Sequence, residues 1–111
     1  MILAIDVGNT NIVLGCIENG DILNIVRIQT DANMTADEYV IKVKDILDIY
    51  GIDPAGFEGV IMSSVVPPVT GRLQRAIKFV TGHECMMVGP GMKTGLNVRI
   101  DDPGTLAGDI V

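Results

Sequence analysis

From Ile2 to Ile5 every position is apolar, and the run stops on a carboxylate, Asp6. An apolar run this short and this uniform fits a central strand covered on both faces better than a half-exposed one. Two more β-rich runs follow, Ile12 to Ile17 and Ile22 to Ile28, separated by "ENGD". An Asn-Gly pair between such runs is the strongest short hairpin signal, so the pattern predicts three antiparallel strands in a meander. The period then changes. Ala36, Tyr39, Val40, Val43, Ile46, Leu47 and Tyr50 fall at helical spacings on one face, with Thr35 and Glu38 placed as a capping box and Gly51 placed to close the helix.

"GVIMSSVVPP" predicts a fourth buried strand ending in serines. Pro67 and Pro68 suit the first turn of a helix that carries Leu73, Ala76, Ile77 and Val80 on one side and ends at Gly82. "CMMV", residues 85 to 88, predicts a short fifth strand, and from Gly89 the chain turns rich in glycine and proline. The order β-β-β-α-β-α-β implies an α/β fold: a mixed five-stranded sheet with three antiparallel strands first, then strands joined through helices packed on the sheet. With 111 residues and 48% hydrophobic content the chain can bury one core, so residues 1–111 are read as a single domain.

Charge narrows the list of partners. The formal net charge is −6, and the eight cations (Arg27, Lys42, Lys44, Arg72, Arg75, Lys78, Lys93, Arg99) form no stripe that would neutralise a phosphate backbone. With two Tyr and two Phe there is also no platform for base stacking, so nucleic acid is not expected as a partner. Cys16 and Cys85 each lie in an apolar strand-like run and read as buried reduced thiols rather than a disulfide framework. The N-terminus has no basic lead and meets Asp6 after five residues, too soon for a signal peptide or a membrane span, which places the protein in the cytoplasm with no membrane partner.

Chemistry concentrates in a few stretches. In "DVGNTN" Gly8 permits a positive φ, the N–H groups of Asn9, Thr10 and Asn11 can point at an anion, and Asp6 could hold a hydrated Mg²⁺ that bridges the same phosphates. The same residue types also make an ordinary hairpin for purely local reasons. "VGPGMKTGL", residues 88 to 96, is a glycine-rich loop that a ligand can approach closely, or a plain surface loop; its spacing is not that of a Walker loop. In "SSVVPP", Ser63 or Ser64 could face the same sheet edge as Asp6, or cap the following helix. His83 reads as a loop residue, and Asp101 and Asp102 as solvated turn residues. Asp109 sits among apolar residues, where a helix start or a catalytic base would each account for it.

Taken together, "AIDVGNTN", "TADEY", "SSVVPPVT", "GPGMKTGL" and "DDPGTLAGD" resemble the type III pantothenate kinases, which belong to the superfamily of acetate and sugar kinases, heat-shock ATPases and actin. The resemblance spans essentially the whole chain, and "GPGMKTGL" followed by Asp109 is its most specific part. It implies a ribonuclease H-like, actin-like ATPase domain. It implies that Asp6, Gly8, Asn9, Thr10 and Asn11 form the first phosphate loop for ATP, with Asp6 at the metal. It implies further that Gly89, Gly91, Lys93, Thr94 and Gly95 shape the pantothenate pocket, and that Asp109 takes the proton from the pantothenate hydroxyl.

Mg²⁺, a monovalent cation (K⁺ or NH₄⁺) and a homodimer are implied in the same way. Two positions depart from the family pattern: Ile110 stands where an arginine is usual and Thr105 where a glutamate is common. Family members carry a second domain of similar size with another phosphate loop, so this chain is expected to be the N-terminal half of a two-domain kinase and inactive alone. A non-catalytic ligand-binding or regulatory module, or a sugar or acetate kinase, are the alternatives.

Overall fold

A computed structural model of the chain describes residues 1–89. Strand β1 (Ile2–Val7) runs into β2 (Asn11–Glu18) and β3 (Asp21–Gln29); helix α1 (Ala36–Ile49) leads to β4 (Gly59–Ser64), and helix α2 (Pro67–Thr81) to β5 (Cys85–Val88). The strands form one sheet in the order β3-β2-β1-β4-β5. Pairing is antiparallel across β1–β2 and β2–β3, and parallel across β1–β4 and β4–β5. This is the mixed sheet that the order of elements predicts. Two-residue turns can join only antiparallel neighbours, and parallel neighbours need a crossover, supplied here by the helices.

The β2–β3 turn uses its Asn-Gly pair as expected, with φ of 54° at Asn19 and 83° at Gly20. The capping box also forms: Glu38 N–H donates to Thr35 Oγ1 at 3.2 Å, and Thr35 N–H donates to Glu38 Oε1 at 2.9 Å. Helix α2 starts on its two prolines and ends at Gly82, whose N–H donates to the Lys78 carbonyl at 2.9 Å. One turn of 3₁₀ helix, Pro54–Gly56, is too short to leave a periodic pattern in the sequence; Asp53 caps it by accepting from the Ala55 N–H.

Leu3, Ile5 and Val7 of β1, with Ile12 and Leu14 of β2, meet Tyr39, Val43 and Leu47 of α1 and Leu73, Ala76 and Ile77 of α2 in one core. The opposite face of the sheet buries Ala4 and Val13, with Ile17, Ile22 and Ile61 packed against them. Strand β1 is therefore central and covered on both faces, which is why its run is apolar without alternation. Cys16 is buried, but Cys85 is only half-buried, on a strand that among the described residues has a neighbour on one side alone. Burial still pushes the Cys85 thiol up to about 11, so neither cysteine is disposed to act as a thiolate.

Candidate functional site

The register sets Asp6 beside Val13 of β2 and beside Ser63 of β4, on the sheet face opposite the helices. Pleating alternates the two serines: Ser63 lies level with Asp6 on its face, while Ser64, level with Val7, turns toward the helices. Ser64 closes the turn that leads into α2, its Oγ accepting from the Val66 N–H at 3.1 Å and from the Thr70 hydroxyl at 2.8 Å, while the N-cap of α2 is Val66 and carries no side-chain cap. Ser63 is buried, and its hydroxyl makes no hydrogen bond to a described residue. Of the two readings of "SSVVPP", Ser63 meets the one that shares a sheet face with Asp6, whereas neither serine caps α2, because the helix starts two residues beyond Ser64 at Val66.

Asp6 is half-buried. Loss of hydration raises its carboxyl above the ordinary value of 3.8, and among the described residues no cation pairs with it and no donor bonds it. Beyond it the chain reverses through Gly8, Asn9 and Thr10 into Asn11, and the Gly8 N–H donates to the Asn11 carbonyl at 2.9 Å. The turn closes without using the positive φ that Gly8 permits: left-handed residues occur only at Asn19, Gly20, Gly51 and Gly82 among the described residues. Asn11 is already the first residue of β2, half-buried and paired with Gln29. Asn9 and Thr10 are exposed, and their N–H groups donate to no described group.

Thr30 holds this turn from behind, and the sequence reading did not single it out. Its hydroxyl donates to the Gly8 carbonyl at 2.7 Å and its N–H to the Thr10 carbonyl at 2.9 Å. The next residue is fixed in turn by Tyr39 of α1, whose hydroxyl donates to the Asp31 carbonyl at 2.7 Å. Arg72 of α2 donates to the carbonyls of Ala32 and Met34. The chain from α1 and α2 through residues 30–34 to the turn makes the loop a braced element. Thr30→Val keeps the shape but leaves the Gly8 carbonyl without its donor. We expect a loss of about 1 kcal/mol in stability, read as a lower midpoint in urea with an unchanged slope.

A half-buried carboxylate with no counter-charge among the described residues, next to two exposed N–H groups that donate to no described group, suits a phosphate group bridged by a hydrated divalent cation. Mg²⁺ keeps several waters and takes one or two carboxylates plus phosphate oxygens, so Asp6 is a sufficient protein ligand of the right kind. No group of three or more His, Cys, Asp and Glu that could hold a metal by itself occurs among the described residues. His83 is structural, its Nε2 lying 2.7 Å from the Phe57 carbonyl. Gly89 is exposed just after β5; Gly91, Lys93, Thr94, Gly95, Asp101, Asp102, Thr105, Asp109 and Ile110 lie outside the described residues. No described helix is long and apolar enough to cross a membrane.

The family model of type III pantothenate kinases matches residues 2–111. A type III pantothenate kinase of Bifidobacterium adolescentis is 42% identical over the whole chain, which covers 43% of that protein. One of Bifidobacterium longum is 44% identical with the same coverage, so the chain spans less than half the length of these curated relatives. Among solved structures, a hexokinase of the ROK type from Thermus thermophilus superposes with a TM-score of 0.58 at 13% identity, over 79% of this chain and 34% of its own. A putative N-acetylglucosamine kinase from Porphyromonas gingivalis gives 0.61 at 18% identity, over 80% of this chain and 34% of its own. RuvC from Thermus thermophilus gives 0.51 at 20% identity, over 80% of this chain and 61% of its own. These likenesses show the ribonuclease H-like, actin-like fold that the motifs implied.

Proposed function

The chain belongs to the type III pantothenate kinase family, and from that membership we propose that it forms the N-terminal domain of a two-domain enzyme that phosphorylates pantothenate with ATP. The observation that carries the reading is the pairing of an Asp6 carboxylate that no described cation neutralises with the braced turn and the N–H groups of Asn9 and Thr10, which donate to no described group. Gly8 and Asn11 complete the phosphate loop, and Asp6 would hold a Mg²⁺ ion whose charge offsets that of the triphosphate.

Pantothenate would lie against the loop of Gly89, Gly91, Lys93, Thr94 and Gly95. In the transfer, the substrate hydroxyl oxygen bonds to the γ-phosphorus as its proton passes to the Asp109 carboxylate. The bond from that phosphorus to the bridging oxygen breaks, giving 4′-phosphopantothenate and ADP, the first step toward coenzyme A. A monovalent cation, K⁺ or NH₄⁺, a homodimer and a cytoplasmic location belong to the same reading. Because such a transfer rests on positioning and charge stabilisation from both domains, residues 1–111 alone should be inactive.

A coupled ADP-release assay on the complete gene product, with pantothenate set against other small alcohols, tests this reading. Turnover that depends on pantothenate is expected, and its absence sinks the proposal. Ile110, standing after Asp109 in place of an arginine, favours a second reading as a ligand-binding module without catalysis. Such a module would bind ATP or pantothenate in a titration yet release no ADP.

A further inference from the structure

Arg27 is the one residue among those described whose buried side-chain nitrogens, Nε and Nη2, have no hydrogen-bond partner. Buried donors of this kind are nearly always satisfied in native proteins, and a guanidinium left without an acceptor is costly. The register places Arg27 opposite Val13, and Val13 opposite Asp6. Arg27, Val13, Asp6 and Ser63 therefore make one row across four adjacent strands, on the sheet face away from α1 and α2. Strands lie about 4.8 Å apart, which sets Arg27 and Asp6 roughly 10 Å apart at their Cα atoms. No ion pair joins them, and their side chains rise from the same face on either side of an apolar residue. A cation and a carboxylate held apart in this way can each serve a ligand: the carboxylate a hydrated metal, and the guanidinium an anionic oxygen through its planar fork.

Resting on the kinase reading, we propose that Arg27 is an anion-binding residue of the Asp6 site, its Nε and Nη2 donating to an oxyanion of a bound reactant. Two sources share that chemistry, a phosphate of the nucleotide and the carboxylate of pantothenate. Arg27 is neither in the phosphate loop nor in the glycine-rich loop, and it enters the site from an edge strand. The unsatisfied donors also give the role a stability signature. Exchanging a half-buried guanidinium with two buried, unpaired nitrogens for an apolar side chain of similar length removes a cost in the free protein, so a binding residue predicts kept or raised thermal stability. A merely structural arginine predicts the reverse.

The test compares the full-length parent with Arg27→Met and Arg27→Lys. Each is titrated calorimetrically with Mg·ATP, with pantothenate, and with pantothenyl alcohol, which lacks the carboxylate, and each is melted without ligand. Arg27→Met should weaken one of the two anions by about 10- to 100-fold, the range of a hydrogen bond to a charged group, with an unchanged or higher Tm. Arg27→Lys should recover part of the affinity, since it keeps the charge but not the fork. Weakened Mg·ATP assigns Arg27 to a phosphate; weakened pantothenate with unaffected pantothenyl alcohol assigns it to the carboxylate. Parental affinity for both anions in both variants overturns the proposal, as does a lower Tm restored by lysine without any change in binding. A parent that binds Mg·ATP but neither binds nor phosphorylates pantothenate defeats the kinase reading separately, and the Mg·ATP titration still decides Arg27. A parent that binds neither anion overturns both.

Discussion

Asp6→Asn in the full-length protein is expected to lower turnover on the order of 10²–10³-fold, the usual consequence of removing one preorganised charge from a phosphoryl-transfer site, while leaving the fold as stable as the parent or more so. The two outcomes share a cause. Burial raises the folded carboxyl above its ordinary 3.8 and no described residue compensates the charge. The ionised form therefore costs stability at neutral pH, and this cost disappears as the pH falls through the raised folded value, because the folded state then binds the proton more tightly than the unfolded chain. An amide has about the same volume and no charge. The Tm difference between mutant and parent should be zero or positive at pH 7 and shrink toward pH 4, whereas Mg·ATP should stabilise the parent and not the mutant. Steady-state kinetics and ligand-free thermal scans across that pH range read both effects. Near-parental turnover in Asp6→Asn would remove the residue from the metal and phosphate site.

Asp109→Asn should act on a different step. Asparagine cannot accept the proton of the pantothenate hydroxyl, so turnover is expected to fall about 10²–10⁴-fold, the range of a positioned general base. ATP affinity should hold, because Asp109 is assigned to proton transfer and not to the nucleotide. If Asp109 served only to cap a helix, asparagine would cap about as well, and both turnover and stability would survive the change. Kinetics and thermal unfolding of purified mutant and parent separate these outcomes, and near-parental turnover would take Asp109 out of the mechanism. The two substitutions also differ in salt and metal response: raising Mg²⁺ should recover part of the activity of Asp6→Asn and none of that of Asp109→Asn.

Local chemistry determined much of this protein by itself. The apolar run before Asp6, the Asn19-Gly20 turn, the Thr35 and Glu38 capping box and the prolines opening α2 each act within a few residues, so their outcome is written in the neighbouring sequence. The order of those elements also fixed the mixed sheet, since chain direction decides which strands need a crossover. What the tertiary structure alone decided depends on register and on contacts between distant segments. Pleating divides Ser63 from Ser64, setting one beside Asp6 and the other in the turn that leads into α2. The hydroxyl of Thr30 finds Gly8 across 22 residues, a contact that no periodicity announces. The positive φ that Gly8 permits is not used in the turn that Thr30 and Asn11 hold. Arg27 reads in sequence as one more scattered cation; only the alignment of β3, β2 and β1 sets it in one row with Asp6, because lateral position in a sheet is a property of strand pairing and of no strand alone.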